Sequence, residues 1–251
     1  MLASMSEPVV AIIVAAGLGT RFGGQTPKQF LRLTGRAVVT VAVEAMAAGG
    51  CTHVVVVINE KASEHWSDSG SPIPVFTTFG GSSRQESVRK GIEFVHDHPE
   101  LRGARVVLIH DAVRPMVPAH VVHSVVKAVD EGAAAVAPYV PVTDTIRRVR
   151  EDGHGSEVLD RSQLRSIQTP QGFPLDVIVR AHREMADRDV PFTDDVSCVE
   201  ALGHEVVLVE GSRLAMKITE PTDLTVAKAL WKVRRTIGHH SGRRVFRLGR
   251  R

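Results

Sequence analysis

Six apolar runs with the composition of β-strands alternate with six helical patterns along this chain of 251 residues. The predicted strands are Val9–Ala15, His53–Ile58, Val75–Thr78, Arg105–Ile109, Ala133–Pro138 and Glu205–Val209. The predicted helices are Val38–Ala48, Arg84–His96, Pro118–Glu131, Pro174–Asp187, Asp194–Leu202 and Pro221–Val233. Because parallel strands need crossover connections, the alternation predicts an α/β fold, with a mostly parallel sheet covered by helices on both faces. Ligands of such sheets bind at the carboxyl ends of the strands.

The segment from Pro141 to Gln168 interrupts this alternation. Two short strand-like runs, 145–150 and 157–160, flank a turn-like stretch that contains two glycines. This pattern predicts a β-hairpin. The segment is too polar for a core element, and an isolated hairpin is marginally stable. It is therefore either a surface excursion or a dimerisation arm.

The first predicted strand opens into a glycine-rich loop that carries two cations. The sequence reads Gly-x-Gly-x-Arg-x-Gly from Gly17, followed by Pro-Lys-Gln-Phe ending at Phe30, so Arg21 and Lys28 share one loop. Glycine lets the backbone turn sharply and approach a ligand closely, with amide groups free to face phosphate oxygens. The pattern therefore predicts a site for a polyphosphate.

Two better-known phosphate loops do not match this segment. Phe22 stands where a dinucleotide-binding fingerprint has its third glycine, and residues 34–40 contain no acidic residue to hold a ribose hydroxyl. A P-loop needs Ser or Thr directly after its lysine, whereas Gln29 follows Lys28. The loop therefore belongs to another class of phosphate-binding site.

Five motifs in a fixed order resemble one family of nucleotidyltransferases. The glycine loop is similar to the signature loop of enzymes that use a nucleoside triphosphate and a phosphorylated small molecule. Further matches are His-Asp-Ala-Val-Arg-Pro at 110–115, Thr-Pro-Gln at 169–171, Thr-Asp-Asp at 193–195 and Lys-Ile-Thr-Glu-Pro-Thr-Asp-Leu at 217–224. With its Gln29-Phe30 ending, the set most resembles the 2-C-methyl-D-erythritol 4-phosphate cytidylyltransferase family of the non-mevalonate isoprenoid pathway. That family usually has Ala where Val113 stands.

The resemblance covers about Val9 to Leu230 and implies both a fold and a reaction. The fold is a Rossmann-like nucleotidyltransferase fold, similar to glycosyltransferase A, in one domain over 1–235 with a protruding β-hairpin arm at about 139–168. The reaction transfers CMP from CTP to 2-C-methyl-D-erythritol 4-phosphate, and yields 4-diphosphocytidyl-2-C-methyl-D-erythritol and pyrophosphate. The family is homodimeric, and its arm reaches into the partner's active site.

The same resemblance assigns roles to individual residues. Arg21, Lys28, Arg161 and Lys217 are the expected catalytic residues, with Arg161 acting from the other subunit and Lys217 positioning the acceptor phosphate. The expected nucleotide-binding residues are Ala15, Ala16, Gly17, Gly19, Gly80, Gly81, Ser82, Ser87 and Asp111. The expected acceptor-binding residues are Asp111, Arg114, Thr145, Arg161, Thr169, Thr193 and Lys217.

Asp111 is an acid in a site built for anions, which is unfavourable unless a cation lies beside it. A Mg²⁺ ion that bridges the triphosphate fits this position, because Mg²⁺ is held by few carboxylates together with substrate phosphates. The alternative is a hydrogen bond from Asp111 to an acceptor hydroxyl or to Lys217. Arg114 is placed either to pair with Asp111 or to hold substrate.

Composition restricts the class of protein further. No apolar run is long enough to cross a bilayer, and residues 1–8 lack the pattern of a secretory signal. Cys51 and Cys198 have no CxxC spacing, which indicates reduced thiols in a cytoplasmic protein. The twelve histidines form no metal-binding spacing and are interpreted as ordinary polar residues.

The basic balance of the chain comes from its end. Eight Lys or Arg residues and no acid lie from Lys232 onward, against a net charge of +3 for the whole chain, so the remainder is net acidic. Residues 236–251 are expected to form a poorly ordered basic tail. Nucleic-acid binding through this tail is one alternative function, although no RNA-binding or helix-turn-helix signature supports it. Another is nucleotidyl transfer to a different sugar or polyol phosphate, or to a molybdenum-cofactor precursor.

Overall fold

The computed structural model describes residues 7–18, 22, 26–68, 70–188 and 192–237. The strands are β1 (Val9–Ala15), β2 (Arg32–Leu33), β3 (Arg36–Ala37), β4 (His53–Ile58), β5 (Val75–Phe79), β6 (Val106–Asp111), β7 (Ala135–Pro141), β8 (Arg147–Val149), β9 (Ser156–Val158), β10 (Arg165–Ile167), β11 (Gln171–Phe173) and β12 (Val206–Glu210). The helices are α1 (Val38–Ala48), α2 (Arg84–Asp97), α3 (Ala119–Asp130), α4 (Leu175–Arg188), α5 (Asp195–Glu200) and α6 (Pro221–Ile237). The alternation of strands and helices predicted from the sequence is confirmed.

An eight-stranded sheet forms the centre of the fold. Its order is β10-β7-β11-β6-β1-β4-β5, and β12 pairs in parallel with β7. β1 pairs in parallel with both β4 and β6, whereas β10 and β11 run antiparallel to β7. The sheet is thus mostly parallel, as predicted, with β10 and β11 as its antiparallel members.

Helices cover both faces of this sheet because β1 is apolar on both of its sides. Ile13 packs in one core with α1 and α3, and Ile12 packs in the other with α2, α4 and α5. Both isoleucines are fully buried. On α2, a Cβ at Gly91 would lie only 2.7 Å from Cγ2 of Ile12. The glycine therefore lets this helix approach the sheet closely.

The predicted hairpin exists, but its extent differs from the prediction. β8 and β9 form a separate antiparallel two-stranded sheet, in which the side chains of Val149 and Val158 are largely exposed. Both ends of the segment assigned to the arm, 139–168, belong instead to the central sheet, because Tyr139 at the end of β7 pairs with Ile167 of β10. β10 and β11 were not predicted from the sequence.

A third, smaller core packs α6 against the loops that follow β1 and β6. It contains Leu33, Met116, Ile218 and Ala227, all fully buried. α6 ends at Ile237 and therefore enters the stretch assigned to the basic tail; residues 238–251 of that tail lie outside the described part of the chain. Within the described ranges, no helix is both long enough and apolar enough for a transmembrane span.

Candidate active site

A pocket of about 540 Å³ opens at the carboxyl ends of β1 and β6, the edge of the sheet at which the topology predicts a ligand. The residues that line it include Ala15, Ala16, Gly17, Lys28, Gly81, Ser82, Ser83, Arg84, Ser87, Asp111, Val113 and Lys217. Motifs that are far apart in the sequence thus meet in one crevice.

Gln29 fixes the loop that follows β1. Its side chain is 2% exposed, and its Nε2 donates to the carbonyl oxygens of Ala15 at 2.6 Å and Gly17 at 2.8 Å. A 3-10 helix over Lys28–Phe30 places its first residue, Lys28, at the pocket wall. Gln29 therefore joins the strand end to the segment that carries the lysine.

A second glycine turn, between β5 and α2, forms the opposite wall. A Cβ at Gly80 would lie 2.5 Å from the Cβ of Ala16, so only glycine lets the two loops come so close. The Oγ of Ser87 accepts from the amide of Gly81 at 3.0 Å and donates to the carbonyl of Ser83 at 2.8 Å. Ser83 also caps α2, which places Arg84 at the first turn of the helix, facing the pocket.

Asp111, the last residue of β6, is surrounded by cations. Lys217 Nζ lies 2.9 Å from its Oδ2, Arg84 Nε lies 3.3 Å from its Oδ1, and Arg114 Nε lies 3.8 Å from its Oδ2. Burial alone raises the pKa of this carboxyl, but Arg84 and Lys217 outweigh burial and hold the pKa well below its usual range. Asp111 is therefore ionised, and the pairing with Lys217 considered from the sequence is present.

Thr169 and His110 form a chain of hydrogen bonds that begins at the backbone of Asp111. The amide of Asp111 donates to Oγ1 of Thr169 at 3.1 Å, and that hydroxyl lies 3.0 Å from Nδ1 of His110. Nε2 of His110 lies 3.1 Å from the carbonyl of Arg114, which can only accept. Nε2 therefore carries the proton and Nδ1 accepts from Thr169. Burial lowers the pKa of His110 to about 4, so the ring is neutral at neutral pH.

Arg84 connects Asp111 to a buried carboxylate to which the sequence analysis assigned no role. Its NH2 group lies 2.8 Å from Oδ2 of Asp195, and His182 Nε2 lies 3.3 Å from Oδ1 of the same carboxylate. Asp195 is 2% exposed. Burial opposes its ionisation, but His182 and Arg84 hold the pKa of Asp195 below its usual value. The interpretation of all histidines as ordinary polar residues does not hold for His110, which is buried in a hydrogen-bonded network, or for His182, which is buried beside Asp195.

The segment that leads to Lys217 is tied to the β6 loop. The amide of Ile218 donates to the carbonyl of Val113 at 2.8 Å, and Arg114 NH1 donates to the carbonyl of Ala215 at 2.9 Å. Gln168 also hydrogen-bonds both backbone groups of Ser212. These contacts place Lys217 over Asp111 and give Arg114 a structural partner besides that carboxylate.

The predicted site residues fall into four groups. Those that line the pocket are Ala15, Ala16, Gly17, Lys28, Gly81, Ser82, Ser87, Asp111 and Lys217. Gly80, Arg114 and Thr169 contact or adjoin these lining residues. Thr145, Arg161 and Thr193 are not among the described residues of the pocket. Gly19 and Arg21 lie outside the described residues.

Arg161 lies in a second, shallower hollow of about 410 Å³ next to the hairpin. It donates to the carbonyl of Thr143 at 2.5 Å, and Tyr139 and Arg165 line the same hollow. Thr145 and Thr193 are exposed. Within a single chain these three residues are separate from the pocket.

The pocket has the chemistry of a polyphosphate site. Lys28, Arg84 and Lys217 supply positive charge, and the two glycine loops bring the backbone close to a ligand. Asp111 is the single acidic side chain among the described residues that line it. Nowhere in the described ranges do three or more His, Cys, Asp or Glu residues form a cluster able to hold a metal. An anion can therefore bind here, with a carboxylate beside it.

Comparison with known proteins agrees with this geometry. A family model described as 2-C-methyl-D-erythritol 4-phosphate cytidylyltransferase matches residues 9–233. Relatives of that name from Streptomyces avermitilis and Streptomyces coelicolor are 40% and 43% identical over 238 residues; these matches cover 90% of this chain and 92% and 85% of the relatives. The crystal structure of the cytidylyltransferase from Thermus thermophilus superposes with a TM-score of 0.74 at 32% identity, covering 90% of this chain and 99% of that one. This chain belongs to the 2-C-methyl-D-erythritol 4-phosphate cytidylyltransferase family.

Proposed function

We propose that this chain transfers CMP from CTP to 2-C-methyl-D-erythritol 4-phosphate in isoprenoid precursor biosynthesis, and that pyrophosphate is released. The observation that carries the proposal is the set of Lys28, Arg84 and Lys217 around the ionised Asp111, at the sheet edge where the family's motifs meet. Membership of the family favours this acceptor over another sugar or polyol phosphate.

The reaction requires charge neutralisation more than acid–base catalysis. A phosphate oxygen of the acceptor attacks the α-phosphorus of CTP, the bond from that phosphorus to the bridging oxygen breaks, and pyrophosphate takes the electron pair. Attacker and electrophile are both anions, so fixed cations must align them and offset the charge that develops. The acceptor phosphate is largely ionised at neutral pH, because the second pKa of a phosphate monoester is about 6.

The two lysines suit different parts of this reaction. Lys28 is on the β1 loop, next to the backbone of 15–18, and we assign it to the triphosphate, together with Arg21. Lys217 contacts Asp111, and its side chain is 41% exposed. We assign it to the acceptor phosphate, because it lines the pocket and its side chain is accessible there.

The donor set also suits a Mg²⁺ ion. Asp111 is held ionised, and a single carboxylate is sufficient for Mg²⁺ when the remaining ligands are substrate phosphates and water. When bound, the ion neutralises triphosphate charge and acts as a Lewis acid. Lys217 contacts Oδ2 and Arg84 contacts Oδ1 of Asp111 in this structure, so a bound ion would share the carboxylate with these cations.

We further propose a homodimer in which the arm of one subunit completes the pocket of the other. Arg161 is exposed and separate from the pocket of its own chain, whereas the family resemblance assigns it to the acceptor phosphate in the partner's pocket. Apolar side chains that a partner would cover lie on the hairpin, at Val149 (67% exposed) and Val158 (58%), and on the edge strand β12, at Val207 and Leu208. These surfaces support exchange of arms.

Two buried cysteines, Cys51 and Cys198, are not joined in a disulfide, and burial raises the pKa of each thiol to about 12. Such thiols are unreactive. They support the proposal that the protein works in the reducing cytoplasm.

The direct test is pyrophosphate release with each of CTP, UTP, ATP and GTP, against a panel of phosphorylated polyols that includes 2-C-methyl-D-erythritol 4-phosphate. We expect the highest kcat/KM for the pair of CTP and 2-C-methyl-D-erythritol 4-phosphate. A higher value for a different acceptor would contradict the assigned substrate, and no release with any pair would contradict the reaction. The same assay after removal of residues 238–251 should give unchanged rates, because the pocket lies in the body of the fold.

A further inference from the structure

The buried carboxylate of Asp195 contacts a pocket residue but does not itself line the pocket. Asp195 is the first residue of α5 and is 2% exposed. Its Oδ2 lies 2.8 Å from the guanidinium of Arg84 in α2. Its Oδ1 lies 3.3 Å from Nε2 of His182 in α4. A buried carboxylate is costly unless it is paired, so its retention here calls for a reason.

Support of its own helix is not that reason. The N-terminus of α5 is capped by the neighbouring Asp194, whose Oδ1 accepts from the amide of Ser197. The amides of Asp195 and Val196 donate to Oε1 of Gln171 at 2.9 and 3.1 Å. The backbone of this turn is therefore satisfied without the carboxylate of Asp195, which points at Arg84 instead.

We infer that Asp195 is a positioning residue for the transfer reaction, and that it acts by holding the Arg84 guanidinium against Asp111 in the pocket wall. The inference rests on the proposed function. One nitrogen of Arg84 is bound to Asp195 and another faces Asp111, so a single planar group spans two carboxylates. Arginine has this fork geometry, whereas lysine presents a point charge that cannot bridge two separate partners in the same way.

The physical effect of Asp195 is to restrict Arg84. A free arginine side chain has many rotamers, and the side chain of Arg84 is still 31% exposed. Without its inner partner the guanidinium is free to follow the phosphates of CTP and leave Asp111. Asp111 would then be held by Lys217 alone among its two nearest cations. Its carboxylate would no longer have a fixed orientation toward a bound substrate.

The decisive variant is Asp195→Asn, which preserves shape and removes the charge. We expect kcat to fall about tenfold or more, while KM for CTP changes less than about threefold, because backbone groups and the other cations still bind the nucleotide. Asp194→Asn is the matched control: it alters the adjacent carboxylate, which does not contact Arg84, and asparagine also caps helices. This control should keep kcat within about twofold.

Arg84→Lys tests the same claim with Asp195 intact and should lower kcat by a similar factor. In the Arg84→Lys background, adding Asp195→Asn should cost less than about twofold, because the partner through which Asp195 acts is already altered. If Asp195 only supported the fold, Asp195→Asn would lower kcat by the same factor in both backgrounds. Thermal unfolding of each variant measures any loss of stability independently.

The inference would be overturned by wild-type kcat in Asp195→Asn, or by an equal loss of kcat with and without the Arg84 substitution. If Asp195→Asn does not fold, Arg84→Lys alone decides: a wild-type kcat there removes the bridging role. Turnover of the unmodified enzyme with CTP in the same assay tests the proposed function separately, so the two failures are distinguishable.

Discussion

The pocket carries lysine and arginine and the hairpin carries arginine alone, and the two regions hold these charges in different ways. In the pocket, Lys217 contacts the buried Asp111 at 2.9 Å, and Arg84 lies between two carboxylates. On the hairpin, Arg148 pairs with Glu157 at 3.0 Å with 68% and 57% of the two side chains exposed. The pocket is therefore preorganised within one chain, whereas the hairpin charges are free to adapt to a second surface.

Buried and exposed ion pairs also contribute differently to stability. Breaking a buried ion pair by removing one partner costs about 3–5 kcal/mol, because it leaves a charge without compensation. An exposed pair contributes about 0–1 kcal/mol, because water screens it. Substitutions in the pocket should therefore alter both catalysis and the free energy of unfolding. Substitutions on the hairpin should mainly alter properties that depend on the partner subunit.

The largest effect is expected at the pocket lysine of the β1 loop. Lys28→Ala should lower kcat about 100- to 1000-fold, with much smaller changes in KM, because a fixed charge matters most where charge develops in the transition state. Steady-state kinetics with CTP and the acceptor measure both constants. Lys127→Ala, at an exposed lysine of α3, is the control and should behave as wild type. Near-normal turnover in Lys28→Ala would remove the transition-state role.

A second effect concerns the pH dependence of stability. The folded pKa of His110 is about 4, below the usual value of about 6.5. Between these values the unfolded chain binds more protons than the folded one, so stability is fully present above pH 6.5 and falls as pH drops toward 4. The loss attributable to this residue is up to roughly 3 kcal/mol.

Denaturant unfolding between pH 7 and 4.5 measures this effect. His110→Gln should flatten the slope in that window, whereas His120→Gln, at an exposed position of α3, should leave it unchanged. An identical slope in wild type and His110→Gln would show that His110 is not the titrating group.

Most of the strands and helices that carry the site could be predicted from the sequence, because local sequence patterns determine them. β1, β4 and α1 have the predicted bounds, since β1 and β4 are rich in β-branched apolar residues and α1 has an apolar pattern that ends before Gly49 and Gly50. Lys28 and Asp111 could be expected to meet because parallel strands bring their carboxyl ends to one edge, whereas only the family resemblance placed Lys217 with them.

What could not be predicted depends on partners that are distant in the sequence. β10 and β11 have three residues each, and their pairing with β7 and β6 makes them strands, not their composition. The contact of Arg84 with Asp195 joins residues 111 positions apart. The only local signal for Asp195 was its place in the Thr-Asp-Asp motif, directly before the apolar Val196, which indicates a carboxylate at the start of a buried helix.

A smaller effect concerns the metal. If Asp111 contributes a ligand to Mg²⁺, Asp111→Asn should raise the Mg²⁺ concentration for half-maximal rate about five- to tenfold, because the neutral amide is a poorer ligand for a hard cation. The rate as a function of Mg²⁺ at saturating CTP measures it. An unchanged metal dependence, with only acceptor binding weakened, would favour the alternative in which Asp111 contacts an acceptor hydroxyl.

The smallest effect is expected at the hairpin ion pair. Arg148→Ala should change the free energy of unfolding by less than about 1 kcal/mol, because both side chains of the pair are exposed. Chemical denaturation measures this value. A loss several times larger would mean that the pair is buried in the assembled protein, and that the hairpin docks more tightly than proposed.

The most direct test of the account mixes two inactive variants. Lys28→Ala lacks a charge that the pocket takes from its own chain, and Arg161→Ala lacks one that we assign to the neighbouring pocket. After subunit exchange, a heterodimer holds one site with both residues intact. The account predicts that activity returns, to at most half of the wild-type value. If labelling confirms exchange and no activity returns, Arg161 does not serve the partner's site.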